Sequence, residues 1–264
     1  MNRSNRSKSI FCQEERGRLD VIGDVHGCYD ELCDMLEKLG YSVDRGGHDA
    51  GPPEGRRAAF VGDLCDRGPD SIGALRLVMN MAGKGDAYCV IGNHDAAVLK
   101  KLCGLEPELP HHGLDETLAQ LGGESDGFVA EVKAFLSGLA SHHVFFDGGL
   151  VVAHAGLSEK YHGRTGAKVL EFCLYGDISG EVDDKGRYVH RPWEDEYRGR
   201  AAVIYGHLPK PEVKETNNTW CIDTGCVYGG KLTCMRYPEM EIVQVNAARV
   251  YYDPKTPISK NSAK

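Results

Sequence analysis

A chain of 264 residues, 41% of them hydrophobic, is long enough to bury a sizeable core and too apolar to stay disordered. Its formal charge of −8 argues against a surface that coats nucleic acid, although a local basic pocket is compatible with it. No apolar run approaches the ~18 residues of a membrane helix, so no membrane partner is expected.

Residues 1–18 begin basic and serine-rich without an apolar stretch, which reads as a disordered extension and not as a secretory signal. The ten cysteines include no C-x-x-C pair, and Cys33, Cys89, Cys173, Cys221 and Cys234 fall inside apolar runs. Buried free thiols in a reducing cytoplasm fit that pattern.

The first strand is Leu19–Ile22, closed by the loop Gly23-Asp24-Val25-His26-Gly27. Leu32, Met35, Leu36 and Leu39 then repeat at helical spacing, and Gly40 is placed to end that helix. A Gly/Pro-rich loop leads to the strand Arg57–Val61 and the loop Gly62-Asp63-Leu64-Cys65-Asp66-Arg67-Gly68, followed by a second amphipathic helix from Pro69. The strand Ala87–Ile91 ends in Gly92-Asn93-His94-Asp95, and a third helix follows. Strand, polar loop and helix three times in succession predict an α/β fold with a mainly parallel sheet.

Between about 104 and 141 two helix-like stretches replace that rhythm and read as a helical insertion or cap. Val144–Phe146 and Leu150–Ala153 flank Asp147-Gly148-Gly149, a hairpin signal, and the second strand closes on His154. Residues from about 158 to 200 are charged and Gly-rich, a candidate substrate-shaping lobe. Ala201–Tyr205 ends at Gly206-His207, and Trp220–Asp223, Lys231–Met235 and Glu241–Val245 read as strands of a closing antiparallel sheet. The whole is expected to be a single domain over 19–250, with a solvated tail over 251–264.

Asp24, His26, Asp63, Asn93, His94, His154 and His207 all stand where a strand ends, the position at which open α/β sheets bind ligands. An Asp after a strand more often caps a helix, and a lone His is more often a satisfied surface group. Five such loops in succession make the bland reading poor. Carboxylate and imidazole without thiolate suit Mn, Fe, Zn or Ni better than Ca. The donors are too many for one ion, whereas two ions ~3.5–4 Å apart clamp the oxygens of a phosphoryl displacement. Arg67 beside them suits a phosphate.

The motifs Gly23-Asp-x-His-Gly27, Gly62-Asp-x-x-Asp-Arg-Gly68 and Gly92-Asn-His-Asp95, with distant His154 and His207, resemble the calcineurin-like metallophosphoesterases of the phosphoprotein-phosphatase branch. The resemblance implies a four-layer sandwich of mixed sheets flanked by helices. It implies that Asp24, His26 and Asp63 hold one metal, and Asp63, Asn93, His154 and His207 a second, with Mn favoured. Ile22–Leu32, His112–Leu118 and Cys221–Leu232 look most like the central phosphatase module of bacterial polynucleotide kinase–phosphatase. The diadenosine tetraphosphate hydrolases share much of this likeness.

The expected reaction is hydrolysis of a phosphate ester by in-line attack of a hydroxide lying between the metals. Arg67 would grip the non-bridging oxygens, and His94, oriented by Asp66, would protonate the leaving oxygen. Asp223 is a candidate support for a ligand, and Cys65 a candidate oxidation-sensitive thiol. The substrate expected first is an RNA end, as a 2′ or 3′ monoester or 2′,3′-cyclic phosphate. The alternatives are diadenosine tetraphosphate and a phosphoserine/threonine protein. Kinase and ligase partners belong to the RNA-repair reading, although neither a P-loop nor a Lys-x-Asp-Gly signature is present in the sequence. A catalytically dead sensor is disfavoured by the intact ligand set.

Overall fold

The computed structural model of the protein describes residues 10–12, 15, 17–108, 112–183 and 188–253. The elements in chain order are β1 (Phe11–Cys12), β2 (Arg18–Ile22), α1 (Tyr29–Leu39), β3 (Ser42–Asp44), β4 (Asp49–Gly51), β5 (Arg56–Phe60), α2 (Ser71–Lys84), β6 (Ala87–Cys89), α3 (Asn93–Leu102), α4 (Leu114–Gly122) and α5 (Asp126–Gly138). They continue with β7 (His142–Phe145), β8 (Leu150–Ala153), α6 (Ala167–Tyr175), β9 (Ile178–Val182), β10 (Tyr188–His190), α7 (Trp193–Glu196), β11 (Ala202–Tyr205), β12 (Lys214–Thr216), β13 (Thr219–Cys221), β14 (Lys231–Tyr237) and β15 (Glu241–Asn246).

Local chemistry explains the boundaries that matter. α1 buries its Leu32, Met35, Leu36 and Leu39 stripe and ends at Gly40, whose left-handed backbone lets its N–H reach the Leu36 and Glu37 carbonyls. The Asp70 carboxylate caps α2 by accepting the Gly73 N–H at 2.6 Å.

Two sheets stack face to face. One has the order β15-β14-β2-β5-β6 and the other β1-β7-β8-β11-β13-β12. β2, β5 and β6 run parallel, as do β8, β11 and β13. The two-residue period of each strand sorts its side chains between layers. On β8, Leu150 and Val152 face the seam between the sheets, while Val151 and Ala153 face the outside layer; β11 repeats this with Ala202 and Ile204 against Val203 and Tyr205. α1, α2 and α3 cover the other face of the five-stranded sheet, and α6 with Trp193 covers the six-stranded one. Helices, sheet, sheet and helices give the four-layer α/β sandwich.

The region 104–141 contributes α4 and α5, whose Leu114, Leu121, Phe128, Val132 and Leu136 join the apolar layer shared with α1–α3. Within 158–200 lie α6, the β9–β10 ribbon and α7. The expected closing sheet is divided: β14 and β15 add antiparallel to β2, whereas β13 pairs parallel with β11 in the other sheet. Gly225 and Gly229, both at positive φ, carry the chain across from one sheet to the other. Of the expected N-terminal extension, residues 1–9, 13, 14 and 16 lie outside the described residues, whereas Phe11–Cys12 pair with β7. Of the expected tail, residues 254–264 lie outside them as well; Tyr251 and Tyr252 donate their N–H groups to the Val227 carbonyl. Nine of the ten cysteines are buried.

Candidate active site

The carboxyl ends of β2, β5, β6, β8, β11 and β13 meet at one edge of the sandwich. His26, Asp63, Asp66, Arg67 and His207 all take left-handed φ there, at 46°, 51°, 74°, 71° and 74°. That region is unfavourable for a residue with a Cβ and persists only where the surroundings enforce it. At Asp63 the enforcing group is the Asp95 carboxylate in the first turn of α3. It accepts the N–H groups of Asp63 at 2.8 Å, Leu64 at 3.0 Å and Gly92 at 3.0 Å. Burial pushes Asp95 above its ordinary value while these donors pull it back down. At Asp66 the backbone N–H meets Ser71 Oγ and Thr117 Oγ1, both at 3.1 Å, so α4 helps to hold the loop.

The side chains converge through acceptor atoms. His154 Nδ1–H donates to the Val61 carbonyl at 3.1 Å, which leaves Nε2 as a lone pair. That nitrogen lies 2.8 Å from Asn93 Oδ1, 3.1 Å from His207 Nδ1 and 3.4 Å from Asp63 Oδ2. Asn93 Oδ1 is also 3.0 Å from His207 Nδ1. A neutral His154 has no proton left for Nε2, and Asn93 Oδ1 can only accept. His26 repeats the arrangement: Nδ1–H donates to the Cys65 carbonyl at 2.9 Å, and Nε2 lies 3.6 Å from Asp63 Oδ2. Asp24 accepts the His207 N–H on Oδ2 at 3.0 Å, while its Oδ1 is buried without a hydrogen-bond partner among the described residues. Donor atoms of Asp24, Asp63 and His154 lie within 4.8 Å of one another, as do those of His26, Asp63 and His94. Lone pairs facing one another and an orphaned buried carboxylate oxygen are what a cation would satisfy, so this donor set fits divalent metal ions.

The electrostatics agree. Burial first, then the neighbouring Asp223 and Asp63, push Asp24 well above the usual carboxylate range; burial and then Asp95 do the same to Asp63. Burial lowers His154 to about 3 and, helped by Arg67 and His154 respectively, drives His26 and His207 well below 6.5. Divalent charge reverses the first push and suits the second, holding carboxylates ionised beside neutral imidazoles.

His94 Nδ1 lies 2.6 Å from Asp66 Oδ2, with both side chains buried, and the His94 ring stands edge-on to His26 at 4.9 Å. Burial pushes Asp66 up to about 7. Arg67 Nη1 donates to His26 Nε2 at 2.9 Å, and its guanidinium lies over the Tyr228 ring at 5.6 Å. Asp223 accepts the Gly225 N–H at 2.9 Å; it is pushed up to about 6 by burial and acts on Asp24. Every residue singled out from the sequence for the site is therefore in this one cluster. Cys65 is fully buried and its thiol pushed well up, with Sγ 3.4 Å from Asp95, an environment that keeps it protonated and unreactive.

The described basic residues of the 158–200 region are exposed or engaged locally. Arg198 donates to the Asp195 and Tyr197 carbonyls, Arg191 pairs with Asp177, and Arg164, Lys168 and Arg200 are exposed. Sequence reasoning assigned no role to Asp95, Thr117, Tyr228 or Lys210. Only Asp95 carried a signal, an acid in the first turn of a helix. The others depend on the packing of α4, the β13–β14 crossing and the chain after β11.

Residues 17–211 match the calcineurin-like phosphoesterase family, and the chain belongs to it: it is a metallophosphoesterase, a hydrolase of phosphate esters. It is 43% identical over 232 residues to the bis(5′-nucleosyl)-tetraphosphatase PrpE [asymmetrical] of Halalkalibacterium halodurans, covering 86% of this chain and 93% of that protein. The Bacillus subtilis protein of the same name is 40% identical over 238 residues, covering 88% and 96%. A crystal structure of a candidate diadenosine tetraphosphatase superposes with a TM-score of 0.66 at 26% identity, over 91% of this chain and 98% of that one. A serine/threonine phosphatase from Saccharomyces cerevisiae, at 13% identity, TM-score 0.60 and coverage of 97% and 87%, shares the fold. Among the described residues no helix is long and apolar enough to cross a membrane.

Proposed function

We propose that the protein hydrolyses bis(5′-nucleosyl) tetraphosphates. The observation that carries this is the tetraphosphatase name borne by relatives that are 43% and 40% identical and aligned over almost the whole chain. The RNA-end substrate expected first from the sequence gives way to it. With that expectation, kinase and ligase partners lose their motivation.

In this reading Asp24, His26 and Asp63 hold one divalent ion and Asp63, Asn93, His154 and His207 the other, Mn being the favoured metal. The ions supply Lewis acidity to the phosphoryl oxygens and to the attacking water. Arg67, half-buried and on the same loop as Asp63, binds the non-bridging oxygens through its fork of N–H donors. His94 keeps its Nδ1 proton on Asp66 and offers a proton on Nε2 to the leaving oxygen; the carboxylate 2.6 Å away stabilises the cationic ring before transfer. Asp223 stands behind Asp24 and holds the β13 turn in place through Gly225.

The test is one panel on the Mn-supplemented enzyme: diadenosine tetraphosphate, a 2′,3′-cyclic mononucleotide and a phosphopeptide, compared by kcat/KM. The dinucleotide is expected to lead by at least ~10-fold, the discrimination a single additional ~1.4 kcal/mol gives. A cyclic nucleotide or phosphopeptide in first place refutes the assignment.

A further inference from the structure

Two aromatic clusters stand at opposite ends of one line of contacts through the metal-ligand set. The line starts at Tyr228, under the Arg67 guanidinium at 5.6 Å, and passes from Arg67 Nη1 to His26 Nε2 at 2.9 Å. It continues from His26 to Asp63 Oδ2 at 3.6 Å, to His154 at 3.4 Å, and to His207 at 3.1 Å. Beyond His207 stand the rings of His190 at 5.6 Å and Tyr175 at 6.4 Å, with Tyr188 5.2 Å from Tyr175. At the other end Tyr252 lies 6.3 Å from Tyr228, and His112 6.3 Å from Tyr252.

These rings are not closed core. Tyr175, Tyr188, His190, Tyr228 and Tyr252 are half-buried and His112 is exposed, so each keeps part of its surface at the solvent boundary. Each end also has a cation. Arg67 belongs to the Tyr228 end; half-buried Lys210, whose backbone N–H donates to the Asp223 carbonyl at 3.0 Å, stands three residues beyond His207 in the chain. The order is thus aromatic, cation, metal ligands, cation, aromatic.

A protein phosphoester offers no base to such an arrangement, and an RNA end offers one at the scissile phosphate. A dinucleoside polyphosphate offers a base at both ends of an anionic chain. We infer that the Tyr228–Tyr252 and Tyr175–Tyr188 clusters are two base-stacking subsites, one for each purine, with the phosphate chain crossing the metal centre between Arg67 and Lys210. The inference rests on the tetraphosphatase reading. Stacking tolerates any base because every base has a π-face, so the subsites select for two bases and the spacing between them more than for base identity.

The test uses Tyr188→Leu and Tyr252→Leu, the outer ring of each cluster, together with the Phe variant at each position. kcat and KM are measured with Mn on diadenosine tetraphosphate, adenosine 5′-tetraphosphate and p-nitrophenyl phosphate, which carry two bases, one and none. Each Leu variant is expected to lose about 5- to 100-fold more kcat/KM on the dinucleotide than on p-nitrophenyl phosphate, mainly through KM, the range that one lost base–ring stack gives. Phe restores the loss, which a merely structural hydroxyl contact would not explain. On adenosine 5′-tetraphosphate one of the two Leu variants is expected to be silent. Equal losses on all three substrates, or ratios within about twofold of wild type, overturn the subsites while leaving the tetraphosphatase reading intact. A wild-type enzyme that cleaves p-nitrophenyl phosphate but not the dinucleotide overturns both.

Discussion

Asp95→Asn is the substitution whose consequences the structure fixes most closely. Asp95 Oδ2 accepts the N–H groups of Asp63 and Gly92, and Oδ1 accepts that of Leu64. An asparagine can keep its oxygen at the first position but must then turn its NH2 toward the buried Leu64 N–H. One bond to a charged acceptor, worth ~1.5–3 kcal/mol, is lost, and a buried donor is left unpaired. Together these cost about 2–4 kcal/mol, which for a domain of this size lowers Tm by about 5–15 °C.

The same change loosens the backbone of Asp63, held at φ 51° by that carboxylate, so Mn affinity is expected to fall by about 10–100-fold. Calorimetry of the chelated protein reads the first effect and Mn titration of turnover the second. A chelated variant melting within about 1 °C of wild type would refute the hydrogen-bond argument, since the smallest cost above is several times larger. A lower Tm with an unchanged Mn titration would show that Asp95 stabilises the loop without placing Asp63.

Four further outcomes follow from the same geometry. Asp63→Ala is expected to abolish turnover and to reduce bound metal below two ions per chain, read by elemental analysis; normal activity would contradict a shared carboxylate. His94→Ala should slow a nucleoside 3′-monophosphate about 10²–10⁴-fold, as general-acid loss does. It should slow diadenosine tetraphosphate far less, because a phosphate leaving group with pKa near ~6 needs little protonation; equal losses would exclude proton transfer by His94. His142 is buried with Nε2 accepting the Gly163 N–H at 3.0 Å, and burial lowers its pKa to about 4. Its contribution is present above pH ~6.5 and lost as pH falls through about 4, roughly 3 kcal/mol in total, a slope that urea denaturation should find absent in His142→Gln. Chelation should lower Tm, and restoring Mn to about 100 times its dissociation constant should return ~2.7 kcal/mol; a Tm indifferent to metal would contradict binding at this cluster.

The sequence disclosed the site better than the frame around it, and the reason is physical. Strand, loop and helix leave a local record, so the loops bearing Asp24, Asp63 and Asn93 could be placed at strand ends from periodicity alone. Pairing between distant strands leaves no such record. The run Trp220–Asp223 and the run Lys231–Met235 read alike, yet the chain between them crosses from one sheet to the other. Nothing local announced that Thr117 on α4 would meet the Asp66 N–H, 51 residues away in sequence. Of the aromatic residues beyond His207, Tyr188 and His190 lie in a charged stretch of weak periodicity, and the ribbon β9–β10 brings them back toward the ligands.

The two sheets share the site unequally, and this explains its glycines. The five-stranded sheet supplies Asp24, His26, Asp63 and Asn93, and the six-stranded sheet His154, His207 and Asp223. Two hydrogen bonds across the seam come from the ligands themselves: His154 Nδ1–H to the Val61 carbonyl and the His207 N–H to Asp24. For the strand ends to approach so closely, side chains must be missing where backbones meet. A Cβ on Gly206 would overlap Asp24 Oδ1, and one on Gly92 would overlap Asp63. The glycines flanking these motifs therefore serve close approach as well as turning, since only a residue without a Cβ lets a carboxylate lie against the neighbouring chain. Each sheet alone presents an incomplete set of acceptors, so the centre exists only where the sandwich is closed.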